Sequence, residues 1–313
     1  MSGAALLWSP TSITESAMYK FLVRTKKFHG GDSTTDLYRW SIEKPDEFWG
    51  ELWDFLDVIG ERGQRIALRD PLPKASFFPD AKVSYLENLL APKSGVTLVP
   101  ESDVSNIGKR LTHEGLVRNI ERVVQLFHSA GVTEGDRVVS ILPIGFEVLS
   151  FLLAGFETGA IVAGASPEFG DSAIISRFSQ LEPKVLIATT QYEWNGKMFD
   201  RRETVEKALQ EIPSITHLIL VGDGEIAVSN RVSVHRWNSL KDGANLQLTR
   251  RGFDQAAYVL FTSGTTGVPK GLVHRSGGVM LKHLMEQKLH CDIRPGDRVC
   301  FYSTTGWLMW NWC

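Results

Sequence analysis

The stretch Tyr258 to Gly271, YVLFTSGTTGVPKG, decides how this chain is read. Tyr258, Val259, Leu260 and Phe261 suit a buried strand, and they run directly into hydroxyls and glycines that close on Lys270. Thr262, Ser263, Thr265 and Thr266 would then stand at a strand end, where open α/β sheets hold their ligands. Gly264 and Gly267 permit positive φ and close backbone approach, so N–H groups and hydroxyls could converge on phosphate oxygens. Lys270 adds a mobile positive charge. The expected ligand is therefore anionic and rich in oxygen. Without a preceding strand, such a run of Ser, Thr and Gly would read as a solvated turn. The Walker spacing G-x-x-x-x-G-K-[ST] cannot be drawn through Gly264, Gly267 and Lys270.

Composition narrows the class. The chain has 313 residues, enough for about two ordinary domains or one large α/β domain. Its 34 basic and 36 acidic residues nearly cancel, and a net charge of -2 argues against a general nucleic-acid binder, which needs a basic face. Cys291, Cys300 and Cys313 form no C-x-x-C pair, which suits a reduced, cytoplasmic chain and predicts no zinc knuckle or metal cluster. The opening MSGAALLWSP lacks a basic n-region, so no secretory signal is expected. The apolar run from Val148 to Ala165 is broken by Ser150 and Glu157 and reads as core, not as a membrane span. The closing NWC is no peroxisomal tripeptide.

Outward from the central stretch, periodicity predicts alternating helices and strands. Phe48, Leu52, Phe55 and Leu56 predict a helix over Lys44 to Ile59, with Pro45 near its start and the neighbouring Trp8, Trp40, Trp49 and Trp53 as packing aromatics. Residues 70–109 read as irregular surface structure around a short element at Tyr85 to Leu90. Thr112 can cap a helix whose apolar stripe is Leu116, Ile120, Val123 and Phe127 and which Gly131 ends. Strands are expected at Arg137 to Leu142, Ala160 to Ala165, Val185 to Ala188 and His217 to Val221, with helices at Phe146 to Thr158, Ser172 to Leu181 and Glu203 to Ile212 between them. This alternation predicts a parallel sheet covered on both faces. Gly277 to His290 could form a helix whose start adds its dipole to the anion site. A short echo, Gly135-Asp136-Arg137-Val138 and Gly296-Asp297-Arg298-Val299, suggests two turns that each open onto an apolar strand.

The strand, the T-S-G-T-T-G core and the following P-K-G resemble the phosphate loop of the adenylate-forming superfamily. The wider chain is similar to its acetoacetate–CoA ligase branch within the acyl-CoA synthetases. Arg39 to Phe55, Ser166 to Ala188, Trp194 to Arg202 and Thr304 to Trp312 carry that resemblance, and Asn311 stands where the acetate enzymes carry His. The resemblance implies an α/β fold, the incomplete large N-terminal domain of the adenylate-forming enzymes with parallel sheets flanked by helices. Residues 1–110 would be an N-terminal extension and 111–313 the ligase domain. Beyond Cys313 would lie the adenine site, the small C-terminal lid domain and its adenylation lysine, so this chain is expected to be inactive alone.

The resemblance also implies chemistry. Acetoacetate would attack the α-phosphorus of ATP with Mg²⁺ present, releasing pyrophosphate, and CoA would then take the acyl group from the adenylate. Thr262, Ser263, Gly264, Thr265, Thr266 and Gly267 would cradle the β- and γ-phosphates, with Lys270 supplying charge. Trp307 is a candidate wall of the acyl pocket, an ordinary core tryptophan being the alternative. Lys197 and Arg201 or Arg202 are candidates for CoA phosphates, although a charged surface loop explains them equally well. His274 reads as a loop-stabilising residue. The partners expected are small molecules, with no nucleic acid and no membrane span. A ligase for another short acid such as acetate, or a non-catalytic nucleotide-binding remnant, are the competing readings.

Overall fold

The computed structural model describes residues 12–68, 74–91, 97–98, 110–262 and 267–312. Three helices open it: α1 (Ala17–His29), α2 (Thr34–Glu43) and α3 (Pro45–Phe55). Each starts on a local signal. The Ser16 hydroxyl accepts from the Tyr19 N–H, Ser33 and Asp36 form a reciprocal capping box, and Pro45 occupies the first turn of α3. Helix α3 stops short of the expected Ile59 because Asp57 turns left-handed, with φ of 55°, while the Val58 N–H reaches back to the Trp53 carbonyl. Trp40 and Trp53 are buried, edge-on to Phe48 and tilted against Phe78 respectively. Among the tryptophans the sequence marks for packing, Trp8 lies outside the described residues. A short helix, α4 (Tyr85–Leu90), follows where the sequence places it.

Helix α5 (His113–Ser129) is capped by the Thr112 hydroxyl, which accepts from the Gly115 N–H, and it buries Leu116, Ile120, Val123 and Phe127 as the stripe predicts. Then come β1 (Arg137–Ile141), α6 (Phe146–Thr158), β2 (Ile161–Ala165), α7 (Asp171–Phe178) and β3 (Val185–Thr189). A hairpin of β4 (Gln191–Trp194) and β5 (Lys197–Asp200) leads to α8 (Arg202–Glu211), β6 (His217–Val221) and β7 (Ser233–Arg236). The central stretch supplies β8 (Ala256–Thr262) and β9 (Lys270–Arg275), followed by α9 (Ser276–Met285) and a π-helical turn, Glu286–His290.

The main sheet runs in the order β7-β6-β3-β1-β2-β8-β9. All neighbouring pairs are parallel except the last, because β8 and β9 form an antiparallel hairpin. The sheet is parallel as the alternation predicts, save for this edge hairpin: residues 263–269 are too few for the crossover that a parallel neighbour requires. Successive residues of the strands point to opposite, buried faces. Val138, Val162, Ile187, Ile219 and Tyr258 face α5 and α6, where they meet Ile120, Phe127 and Phe151. Val139, Ala163, Leu186, Leu218 and Val259 face α7 and α8, where they meet Ile174, Phe178, Val205 and Leu209. With helices on both faces, the strands can be apolar on both sides, which is why they read as continuous hydrophobic runs.

The echo at Gly296 is only half realised. Gly135 and Gly296 both turn with positive φ, 84° and 94°, yet only the first opens onto a strand. Val299, Phe301 and Tyr302 are 55%, 48% and 75% exposed and pair with no strand among the described residues. Apolar sequence makes a strand only where a neighbouring ladder accepts it.

The N-terminal helices share a core with the residues on either side of the hairpin: Phe21, Leu52 and Trp53 pack with Phe253 before it and with Met280, Leu281 and Leu289 after it. A line of rings crosses this junction from Tyr85 to Phe156 (4.7 Å), Tyr258 (6.1 Å) and His274 (4.8 Å). A hydrogen bond of 3.1 Å joins the Tyr85 hydroxyl to Nδ1 of buried His283 on α9. Burial pushes the His283 imidazole down to about 4, so it is neutral at pH 7. Its folded value lies below the ordinary 6.5, so its contribution is complete above pH 6.5 and is lost as pH falls towards 4, a span worth roughly 3 kcal/mol. Between those pH values the melting temperature of wild type should fall more steeply than that of His283→Gln. Parallel slopes would show that this imidazole does not titrate against the fold.

Candidate functional site

Parallel pairing brings the carboxyl ends of β1, β2, β3 and β8 to one edge of the sheet. The chain leaves β1 for β2 on one side and then crosses back to β3 on the other, so this edge contains a topological switch point. The hairpin stands at its β8 side. Thr262 is paired across the ladder with Lys270, and both are exposed. Gly267 has φ of 143°, a backbone conformation that favours glycine, and open space where a Cβ would lie. Ser263, Gly264, Thr265 and Thr266 lie outside the described residues. His274 stacks on its cross-strand partner Tyr258, and its Nδ1 lies 3.1 Å from the Leu272 carbonyl, a structural setting.

The segment Thr304–Trp312 lies over the same edge. The Thr305 hydroxyl, 2% exposed, donates to the Leu142 carbonyl just past β1 at 2.7 Å. Gly164 in β2 leaves the space this crossing uses, since a Cβ there would sit 3.1 Å from the Thr305 carbonyl. The helix α10 (Leu308–Trp312) follows. Its Trp310 packs on the core and, with Asn311, Ser140, Gly164, Leu260 and Thr305, lines a cavity at the strand ends. Trp312 is held through its indole N–H by Glu286. Trp307, the residue the sequence nominates for an acyl pocket, is 64% exposed.

The remaining basic candidates hang from the carboxyl end of β3. Lys197 is exposed on the β4–β5 hairpin. Arg202 is clasped by Asp200, whose carboxyl that guanidinium holds down at about 2. Arg201 turns inward: its Nη2 donates to the Phe169 carbonyl at 2.6 Å and lies 3.5 Å from Asp171. Asp171 is held below the ordinary carboxylate range first by the Thr204 hydroxyl, then by Lys207 and Arg201. The Nε of Arg201 and the hydroxyl of Thr304 are buried and have no hydrogen-bond partner among the described residues. No group of three or more His, Cys, Asp or Glu is placed to hold a metal among the described residues. No helix there is long and apolar enough to cross a membrane.

A mostly parallel sheet with helices on both faces, a switch-point edge and an antiparallel hairpin beside it defines an open α/β fold. Residues 97–312 match the family described as AMP-binding enzyme, and the chain belongs to that family. Residues 34–89 match the acetyl-coenzyme A synthetase N-terminus. Within the family the chain is similar to an acetoacetyl-coenzyme A synthetase of Rhizobium meliloti (strain 1021), with 34% identity over 87% of this chain and 43% of the relative. It is similar also to the acetoacetyl-CoA synthetase of Macaca fascicularis, at 30% identity over 98% of this chain and 48% of the relative. The solved acetoacetyl-CoA synthetase from Streptomyces lividans superposes with a TM-score of 0.87 at 30% identity, covering 99% of this chain and 49% of that one. The chain thus spans about half the length of the relatives it matches.

Thr305 was not legible as a site residue, although the T-T-G-W stretch that contains it was. Replacing it with Val should cost about 1–2 kcal/mol in denaturant unfolding, because the Leu142 carbonyl loses its buried donor. A variant as stable as wild type would mean that water replaces the hydroxyl and that the crossing segment is not tied down there.

Proposed function

We propose that the β8–β9 hairpin binds the phosphates of ATP, and that a protein carrying this chain joins acetoacetate to CoA through an acyl-adenylate. The pairing of Thr262 with Lys270 at the carboxyl edge supports this most directly, because it puts a hydroxyl and an ammonium side by side where a parallel sheet presents its ligands. The similarity to acetoacetyl-CoA synthetases supports the choice of acid and thiol.

In this reading Thr262 and Gly267, with Ser263, Gly264, Thr265 and Thr266, offer hydroxyl and backbone N–H donors to the β- and γ-phosphates. Lys270 stabilises the charge that grows on departing pyrophosphate, an interaction stronger in the transition state than in the ground state. Magnesium would arrive with the nucleotide and supply charge neutralisation, and the hydroxyl oxygen of Thr262 suits such a hard cation. Trp307 offers an exposed flat face for the acyl group, and Lys197, Arg201 and Arg202 offer cations for CoA. Arg201 and Arg202 would first have to exchange their present partners. Residues 1–110 act as an N-terminal extension supporting the ligase domain at 111–313, and the setting is cytoplasmic.

Calorimetric titration with MgATP tests the phosphate site: Lys270→Ala should raise Kd about tenfold, the effect of losing roughly 1.4 kcal/mol. Unchanged affinity would overturn the assignment. ATP–pyrophosphate exchange with acetoacetate, acetate and propionate, catalysed by a full-length ligase that carries this chain, tests the acid. Acetoacetate should support the fastest exchange, and equal rates with acetate would overturn that choice while leaving the phosphate site standing.

A further inference from the structure

One contact reaches the hairpin from outside its own ladder. The Gln180 side-chain amide, just past α7, donates to the Pro269 carbonyl at 3.1 Å and to the Ser176 carbonyl of its own helix at 2.7 Å. Both partners are acceptors, so the nitrogen must face them, and its two N–H groups account for both bonds.

The helix behind this contact is firmly held. Ile174 and Phe178 are completely buried under the sheet. At its other end Asp171 accepts from the Thr204 hydroxyl at 2.6 Å and from Lys207 at 3.1 Å. The carbonyl that Gln180 grips belongs to the peptide unit whose N–H is that of Lys270. Proline fixes its own φ, so ψ is the soft dihedral left at Pro269, and ψ is what orients this carbonyl.

We propose that Gln180 is a positioning residue for the nucleotide hairpin, tying the Pro269–Lys270 peptide to α7 and so setting the direction from which Lys270 meets a phosphate. The proposal rests on the reading of the hairpin as a phosphate site. The ladder fixes Lys270 against Thr262 on one side, and Gln180 fixes the preceding peptide on the other. Removing the amide frees the segment that carries the charge without touching the charge itself.

The variants are Gln180→Met, which keeps the length and loses the donor, and Gln180→Lys, which restores N–H donors of similar reach. Each is compared with wild type and Lys270→Ala in two measurements on the whole chain. One is amide hydrogen exchange without ligand at Gly267, Val268, Lys270 and Gly271; the other is calorimetric MgATP affinity. Gln180→Met should speed exchange at those amides and raise Kd by about three- to tenfold, while Gln180→Lys stays within about twofold of wild type. Exchange across α7 should not change. Wild-type exchange and affinity in Gln180→Met, with Lys270→Ala still impaired, would overturn the proposal and leave the phosphate site intact. Faster exchange across α7 in step with the hairpin would overturn it in favour of simple helix support. Absence of MgATP binding by wild type would overturn both readings.

Discussion

Parallel pairing of β1, β2, β3 and β8 is the constraint on which the rest depends. Parallel strands end together, so whatever follows each of them emerges on the same edge. After β1 comes the Leu142 carbonyl that holds Thr305; after β2, the Phe169 carbonyl that holds Arg201; after β3, the hairpin carrying Lys197; and at the end of β8 stands Thr262, paired with Lys270. Residues far apart in sequence are thereby carried to one edge of the sheet. The arrangement is sustained by apolar burial on both faces of the sheet, from Val138 and Ile187 on one side to Leu186 and Val259 on the other.

The hairpin is the least self-sufficient part of this edge. Beyond β8 its second strand has no further neighbour among the described residues, and Leu272 and Val273 are 51% and 60% exposed. Its support comes from behind and from one side. Tyr258 and His274 stack across the hairpin base and continue a line of rings that reaches Tyr85, while α9 is anchored by the bond between Tyr85 and His283 and by the core it shares with α1 and α3. Gln180 supplies the lateral restraint. The aromatic-rich N-terminal helices thus contribute to the site through α9.

Elements buried on both faces or along one stripe were legible in the sequence. The runs of β1, β3 and β6 and the stripe of α5 carry their own periodicity, because burial decides them locally. Elements made by tertiary pairing were not. Lys270 to Arg275 shows no strand-like burial pattern and becomes β9 only because a short loop folds it back on β8, whereas Val299 to Tyr302 looks like a strand and has no ladder to join. The same division holds at the site. Thr262, Gly267 and Lys270 announce themselves through a contiguous motif. Thr305 and Gln180 act through single carbonyls, Leu142 and Pro269, that are distant in sequence and have no signature of their own. Nor could composition tell that Arg201 would turn inward towards Phe169 while its neighbour Arg202 faces Asp200.

The central claim is that the paired Thr262 and Lys270 form the base of a nucleotide-phosphate site. Its most direct test is a two-dimensional amide NMR titration with a non-hydrolysable ATP analogue and magnesium. The largest shift changes are expected at Thr262, Gly267, Lys270 and Gly271, with smaller ones at Gln180 and none at the distant sheet edge around Val234. Shift changes centred elsewhere, or none at the hairpin under saturating analogue, would contradict the account.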